Sequence, residues 1–168
     1  KIEAQPLTSY TQGSTKPIVN LIDKSREIMV GLGYQEVMSQ ILSNKNLLYN
    51  KMEIEDFGTV ELQNPSSENY SCLRTWILPV LMEILSKNKH VEYPHNIFEQ
   101  GLVTVRNEGK IVDYERLAAL TISEKADYTK AKQTLDALMR MLGMEYEIED
   151  TEHKSFINGR VGRIIVNG

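Results

Sequence analysis

One cysteine, Cys72, stands in 168 residues, so no disulfide can close within the chain and no thiolate cluster can hold zinc. Histidine is nearly as scarce: His90, His95 and His153 are scattered, without His-Glu-x-x-His or any other ligand spacing. Long apolar runs are missing too. The longest, Trp76 to Met82, contains Pro79 and falls far short of the roughly 20 residues a bilayer requires. Lys1 to Tyr10 has no apolar centre of the signal-peptide kind. Neither membrane insertion nor secretion is expected, and a lone thiol suits a reducing, cytoplasmic setting. Positive charge is not in excess either: a net charge of −4 and a pI near 5.5 leave no global field to gather nucleic acid.

What is present is ordinary globular composition, with 41% hydrophobic and 25% charged residues, which excludes disordered and low-complexity classes. A chain of this length supports a single core, burying roughly 70% of its unfolded surface.

Residues 1 to 16, with Pro6, Ser9, Gly13 and Ser14, show no periodicity and read as a linker from a preceding domain. Residues 17 to 168 read as one module. From Pro17, Ile18, Leu21, Ile22, Ser25, Ile28, Met29 and Leu32 recur at helical spacing, with Gly31 and Gly33 suited to the helix end. Tyr34 to Leu42 alternates in strand fashion. A short helix over Ser43 to Met52 with Ser43 as cap, a strand over Thr59 to Gln63 and a turn at Asn64 to Ser67 are expected next. A second helix carries Trp76, Ile77, Val80, Leu81, Ile84 and Leu85 on one face, with Thr75 as candidate cap, and ends by about Lys89. His95 to Val105 and Arg116 to Ile122 read as an antiparallel hairpin turning through Asn107-Glu108-Gly109-Lys110. The third helix repeats Tyr128, Ala131, Leu135, Leu138 and Leu142, with Asp127 to cap it, Gly143 to end it, and Met139 and Met141 as core fillers. Strands over Glu145 to Glu149 and Val161 to Val166 complete an α+β domain, an antiparallel sheet flanked by helices.

The chain starts on Lys1 and stops at Asn167-Gly168, a strong hairpin-turn pair directly after the strand Arg163 to Val166. The expectation is a piece of a longer polypeptide truncated in mid-hairpin; a frayed natural terminus is the alternative.

Common catalytic signatures are absent: there is no GxxxxGK[ST], GxGxxG or GxSxG. The acidic sets Glu53, Glu55, Asp56 and Glu147, Glu149, Asp150 alternate with apolar residues or sit in turns, as solvated faces do. Arg74, two residues from Cys72, would favour a thiolate if both faced one pocket; burial of Cys72 as a small hydrophobe is the plainer reading.

Several segments resemble one family. Ser25 to Met38, reading SREIMVGLGYQEVM, is similar to the opening of the catalytic-like module in the β subunit of phenylalanyl-tRNA synthetase, at the place of class II motif 1. Asn64 to Thr75 with Leu78-Pro79 resembles its NP-S-E-YS-LRT-LP segment, and Asn88 to Pro94 with Ile97 to Gly101 its NKH-YP-IFE-G segment. Phe156 to Arg160 with Ile164 to Gly168 is similar to its later FI-GR-II-NG segment. The NKH-YP wording is closer to the archaeal and eukaryotic branch.

The resemblance implies a class II aminoacyl-tRNA synthetase-like fold and a holoenzyme that charges tRNA with phenylalanine using ATP and Mg²⁺. It implies a phenylalanyl-tRNA synthetase α subunit that performs the chemistry, and a second αβ pair in an (αβ)₂ assembly. Within the module no cofactor, metal or catalytic residue is expected. Ile22, Arg26, Met29 and Tyr34 fall in the motif 1-like segment and are the expected α-subunit interface; an intramolecular core is the alternative for Ile22, Met29 and Tyr34. Lys154, Arg160 and Arg163 are candidate RNA contacts, worth about three salt-sensitive phosphate contacts, or simply part of a solvated mixed surface.

A class II site needs a motif 2 arginine on a sheet strand to neutralise phosphate and carboxylate charge. In the pattern Gly-x-Val-aromatic-Arg, counting from Gly101, that position is Val105. Arg106 is one residue late, and a one-residue offset in a strand reverses the face unless a bulge intervenes. This counts against a free-standing class II-like enzyme that adenylates an amino acid.

Overall fold

A computed structural model describes residues 3–4 and 12–166. Most of the expected linker and the Asn167-Gly168 turn lie outside the described residues.

Helix α1 spans Pro17–Gly31, with proline in its first turn, where a missing amide proton leaves no bond unmade. It ends as expected: Gly33 takes φ 83°, and the amides of Leu32, Gly33 and Tyr34 return to the carbonyls of Ile28, Val30 and Met29. The single strand expected over Tyr34 to Leu42 is instead two short ones, β1 (Gln35–Glu36) and β2 (Leu42–Ser43), which join different sheets. Ser39 lies between them and bonds the Glu99 carboxylate, which diverts the chain from one ladder to the next.

The short helix after β2 is a π-helical turn, Asn46–Asn50, and its cap is Asn44, whose Oδ1 accepts from the Leu47 amide at 2.9 Å. Ser43 is occupied as a strand residue facing Cys72. Thr59 to Gln63 makes no regular strand: Glu61 bridges Cys72, and a 3-10 turn, Glu68–Tyr70, leads into β3 (Cys72–Leu73). Thr75 does not cap α2 (Leu78–Lys87). Its hydroxyl is 2.8 Å from Tyr49 Oη inside the core, and Ile77 stands at the helix start.

The central feature is the hairpin of β4 (His95–Asn107) and β5 (Lys110–Ile122), thirteen residues each. Glu108 and Gly109 turn it with φ of 47° and 79°, the signature of a tight hairpin that matches strand twist. β1 adds to β4 in parallel, so the sheet order is β1-β4-β5 and the sheet is mixed. One face of β4 packs Phe98 against Met29 and Tyr34 of the α1 side. The other packs Ile97 and Val103 against Leu81 of α2 and Ile77 just before it. A third cluster, Leu47, Leu48, Tyr49, Cys72 and Val80, gathers around the π-helical turn.

Helix α3 (Tyr128–Leu142) is bounded as expected, with Asp127 accepting from the Lys130 amide at 2.8 Å and Gly143 at φ 72°. It is less buried than an ordinary core helix: Met139 is its one buried residue, Met141 is exposed, and Tyr128 and Ala131 border a cleft of about 800 Å³. The far wall of that cleft is the antiparallel hairpin β6 (Tyr146–Asp150) and β7 (Gly162–Val166). No helix among the described residues is long and apolar enough to cross a membrane.

Candidate functional site

The register of β4 on β5 runs without interruption from His95↔Ile122 to Asn107↔Lys110. With no bulge, alternation holds along the strand, so Ile97, Glu99, Gly101, Val103 and Val105 share the α2 side. Val105 therefore occupies the strand position four residues after Gly101, and the exposed Arg106 points to the opposite face.

A different arginine occupies this face. Arg74, 2% exposed, leaves β3 and lays its guanidinium against β4. Its Nε donates to the Leu102 carbonyl at 2.8 Å, and its Nη1 donates to Glu99 Oε1 at 2.6 Å and Ser39 Oγ at 2.7 Å. Ser39 closes the ring, its hydroxyl donating to Glu99 Oε2 at 2.6 Å and its amide to Oε1 at 3.3 Å. The backbone of Arg74 is pinned as well, to Ile41 on one side and Thr104 on the other. The charges are thus buried, paired and hydrogen-bonded, the condition under which a buried ion pair persists. Gly101 makes room for it, since a Cβ there would come within 2.5 Å of Arg74 Nη2. Arg74 and Glu99, 25 residues apart, carry no motif spacing that marks them as a pair in the sequence. Their signal was two opposite charges, each inside an otherwise apolar strand-like stretch.

Cys72 is not part of this arrangement. It is fully buried, and burial pushes its thiol above the ordinary value, with Glu61 adding in the same direction. The acidic Asp56 belongs to a turn: the amides of Gly58 and Thr59 and the Lys45 ammonium bond it. Lys45 also pairs with Glu61 at 2.6 Å. Among the described residues no three of His, Cys, Asp and Glu come together as a metal-holding group.

The four motif 1-like residues fall differently from one another. Met29 and Tyr34, 1% and 6% exposed, lie buried in this chain's own core against Phe98. Tyr34 Oη bonds Thr121 and Thr134. Arg26 pairs with Glu36 at 2.8 Å and reaches the Gln100 carbonyl, tying α1 to β1 and β4. Ile22 is half-buried in a groove shared with Leu117, Leu138 and Leu142. The apolar surface α1 does present is Ile18, Val19, Leu21 and Val30. Lys154, Arg160 and Arg163 are all exposed in the β6–β7 hairpin, alongside Glu145, Glu147, Glu149, Asp150 and Glu152. That hairpin carries more negative than positive charge.

Comparison with known proteins bears directly on this arrangement. The family model described as the phenylalanyl tRNA synthetase beta chain CLM domain matches residues 2–168. The chain belongs to that family. It is 46% identical to the phenylalanine–tRNA ligase beta subunit of Pyrococcus abyssi over 170 residues, and 49% identical to that of Pyrococcus horikoshii. Each alignment covers 99% of this chain and 31% of the relative. The Methanocaldococcus jannaschii beta subunit is 38% identical over 94% of this chain and 29% of the relative. The chain thus spans about a third of the length of these curated relatives. The solved structure of Desulfitobacterium hafniense PylSc, a pyrrolysyl tRNA synthetase, superposes with a TM-score of 0.67 at 15% identity, covering 80% of this chain and 51% of that one. The fold is that of a class II aminoacyl-tRNA synthetase module: α+β, with the β4–β5 hairpin as its spine and helices on both faces.

Proposed function

We propose that this chain is a non-catalytic core module of a phenylalanine–tRNA ligase β subunit, serving assembly with the α subunit in an (αβ)₂ enzyme that charges tRNA in the cytoplasm with ATP and Mg²⁺. The observation that carries the non-catalytic part is Val105 in an unbroken strand register. On that face the arginine that exists, Arg74, has its Nε and Nη1 donors engaged by Leu102, Glu99 and Ser39, and its charge is paired with Glu99. These residues do not fit a nucleotide phosphate, which needs an uncommitted cation where charge gathers. The family match supports the assembly role, and the exposed Val19 and Val30 of α1 supply a surface for it. They lie eleven residues, or about three turns, apart on one outward face; Ile22 and Arg26 are placed at its margin.

In this reading Lys154, Arg160 and Arg163 give local support to tRNA, against the surrounding acidic side chains. Charge reversal at all three should weaken tRNA binding by the assembled enzyme; unaltered affinity removes that part alone. The reading as a whole is tested by ATP-pyrophosphate exchange. This chain alone should give no exchange above background with any amino acid, and measurable exchange would overturn the non-catalytic assignment.

A further inference from the structure

The α2 side of β4 is apolar around Glu99: Ile97 and Val103 share its face, and Leu81 packs over them. A carboxylate in such a place needs a cation, and the chain supplies one from a separate segment. Three acceptors from two segments converge on it: the Glu99 carboxylate and the Leu102 carbonyl from β4, and the Ser39 hydroxyl from the link between β1 and β2. The floor is Gly101, whose missing side chain leaves the space that Nη2 takes. Acceptors aimed at both the Nε and the Nη1 edge match the rigid fork of a guanidinium and not the point charge of an ammonium.

We propose that Arg74 is an internal ligand: its side chain fills a guanidinium-recognising subsite on the α2 face of the sheet, built from Glu99, Ser39 and the Leu102 carbonyl over Gly101. It thereby closes that stretch of sheet to any cationic molecule from solution. The inference deepens the non-catalytic reading and rests on it, because it names what occupies the surface that the valine at position 105 leaves unable to hold phosphate. It also accounts for two features that packing alone leaves unrelated, a buried acid in an apolar strand and a glycine two residues after it.

The test removes the internal ligand and offers a free one. Arg74→Ala in this chain is titrated with methylguanidinium chloride, followed by calorimetry and thermal unfolding, with methylammonium chloride at the same ionic strength as the comparison. Arg74→Ala should bind methylguanidinium saturably at one site and melt higher with it. Methylammonium, which cannot serve both edges, should bind about tenfold more weakly, as loss of one charge-assisted hydrogen bond implies. The unsubstituted chain should bind neither. No saturable binding by Arg74→Ala, or equal binding of the two cations, overturns the proposal.

Where Arg74→Ala does not fold, Gly101→Ala reads the same point. The unsubstituted chain should show a slowly exchanging arginine Nε–H resonance from the Arg74–Leu102 bond, and a Cβ on the floor should dislodge the guanidinium and abolish it. An unchanged resonance in Gly101→Ala overturns the proposal. None of these measurements involves adenylation or the α subunit, so pyrophosphate exchange by the unsubstituted chain would sink the functional reading and leave this result standing, and the reverse holds too.

Discussion

Tyr34 Oη lies 2.7 Å from Thr121 Oγ1, joining the end of α1 to the far strand of the central sheet, and a second contact at 3.1 Å reaches Thr134 on α3. One phenol therefore holds three elements together. Tyr34→Phe keeps the ring packed on Met29 and Phe98 but leaves two threonine hydroxyls short of a partner. Unfolding in urea should show a loss of about 1–2 kcal/mol, with no change in the slope that reports exposed surface.

The two faces of α1 should respond differently to charge. Val19→Asp with Val30→Asp alters exposed positions and should leave stability within about 0.5 kcal/mol, while abolishing co-purification with the α subunit. Met29→Asp places an unpaired carboxylate in the Phe98 cluster and should unfold the chain. Retained αβ assembly by the double valine variant would end the proposed role for this surface.

Gly58 is held at φ 121°, and its carbonyl accepts from the Arg106 amide at 2.7 Å, anchoring the loop before Thr59 to the far end of β4. A Cβ there would collide with the Arg106 carbonyl and come within 2.9 Å of Val105 Cγ1. Gly58→Ala combines backbone strain with a collision against backbone, so a loss above about 2 kcal/mol is expected in chemical denaturation.

Asp56 gives the acid side of the stability profile its shape. Partial burial raises its pKa, but the amides of Gly58 and Thr59 and the Lys45 ammonium outweigh that and hold it well below the usual carboxylate range. A carboxyl depressed on folding stabilises the native state above its unfolded pKa of about 3.9. That contribution fades as pH falls from there through the folded value. Between pH 5 and pH 2, stability of the unsubstituted chain should fall more steeply than that of Asp56→Asn, which has no carboxyl to protonate. The Lys45 share should shrink in salt, because that pair is exposed.

Local chemistry made part of this molecule readable. Pro17 and Gly33 bound α1, Asp127 and Gly143 bound α3, and Glu108-Gly109 turn the central hairpin, because each depends on backbone geometry and on bonds to near neighbours in the chain. The strand parity that sends Val105 and Arg106 to opposite faces was equally local, and an unbroken register preserved it. Where capping residues had a competing long-range partner, local expectation failed: Ser43 pairs with Cys72 and Thr75 bonds Tyr49, so neither caps a helix.

The amino-acid order thus determined the three helices, the hairpin, the family and the absence of an arginine at position 105, since periodicity, turn chemistry and motif wording are properties of neighbours along the chain. Tertiary structure alone decided that Met29 and Tyr34 face inward, that β1 joins β4 in parallel, and that Arg74 meets Glu99 across 25 residues. An apolar or charged side chain carries no record of what it will pack against. That partner is chosen only when distant segments are brought together and buried charge must be neutralised from within.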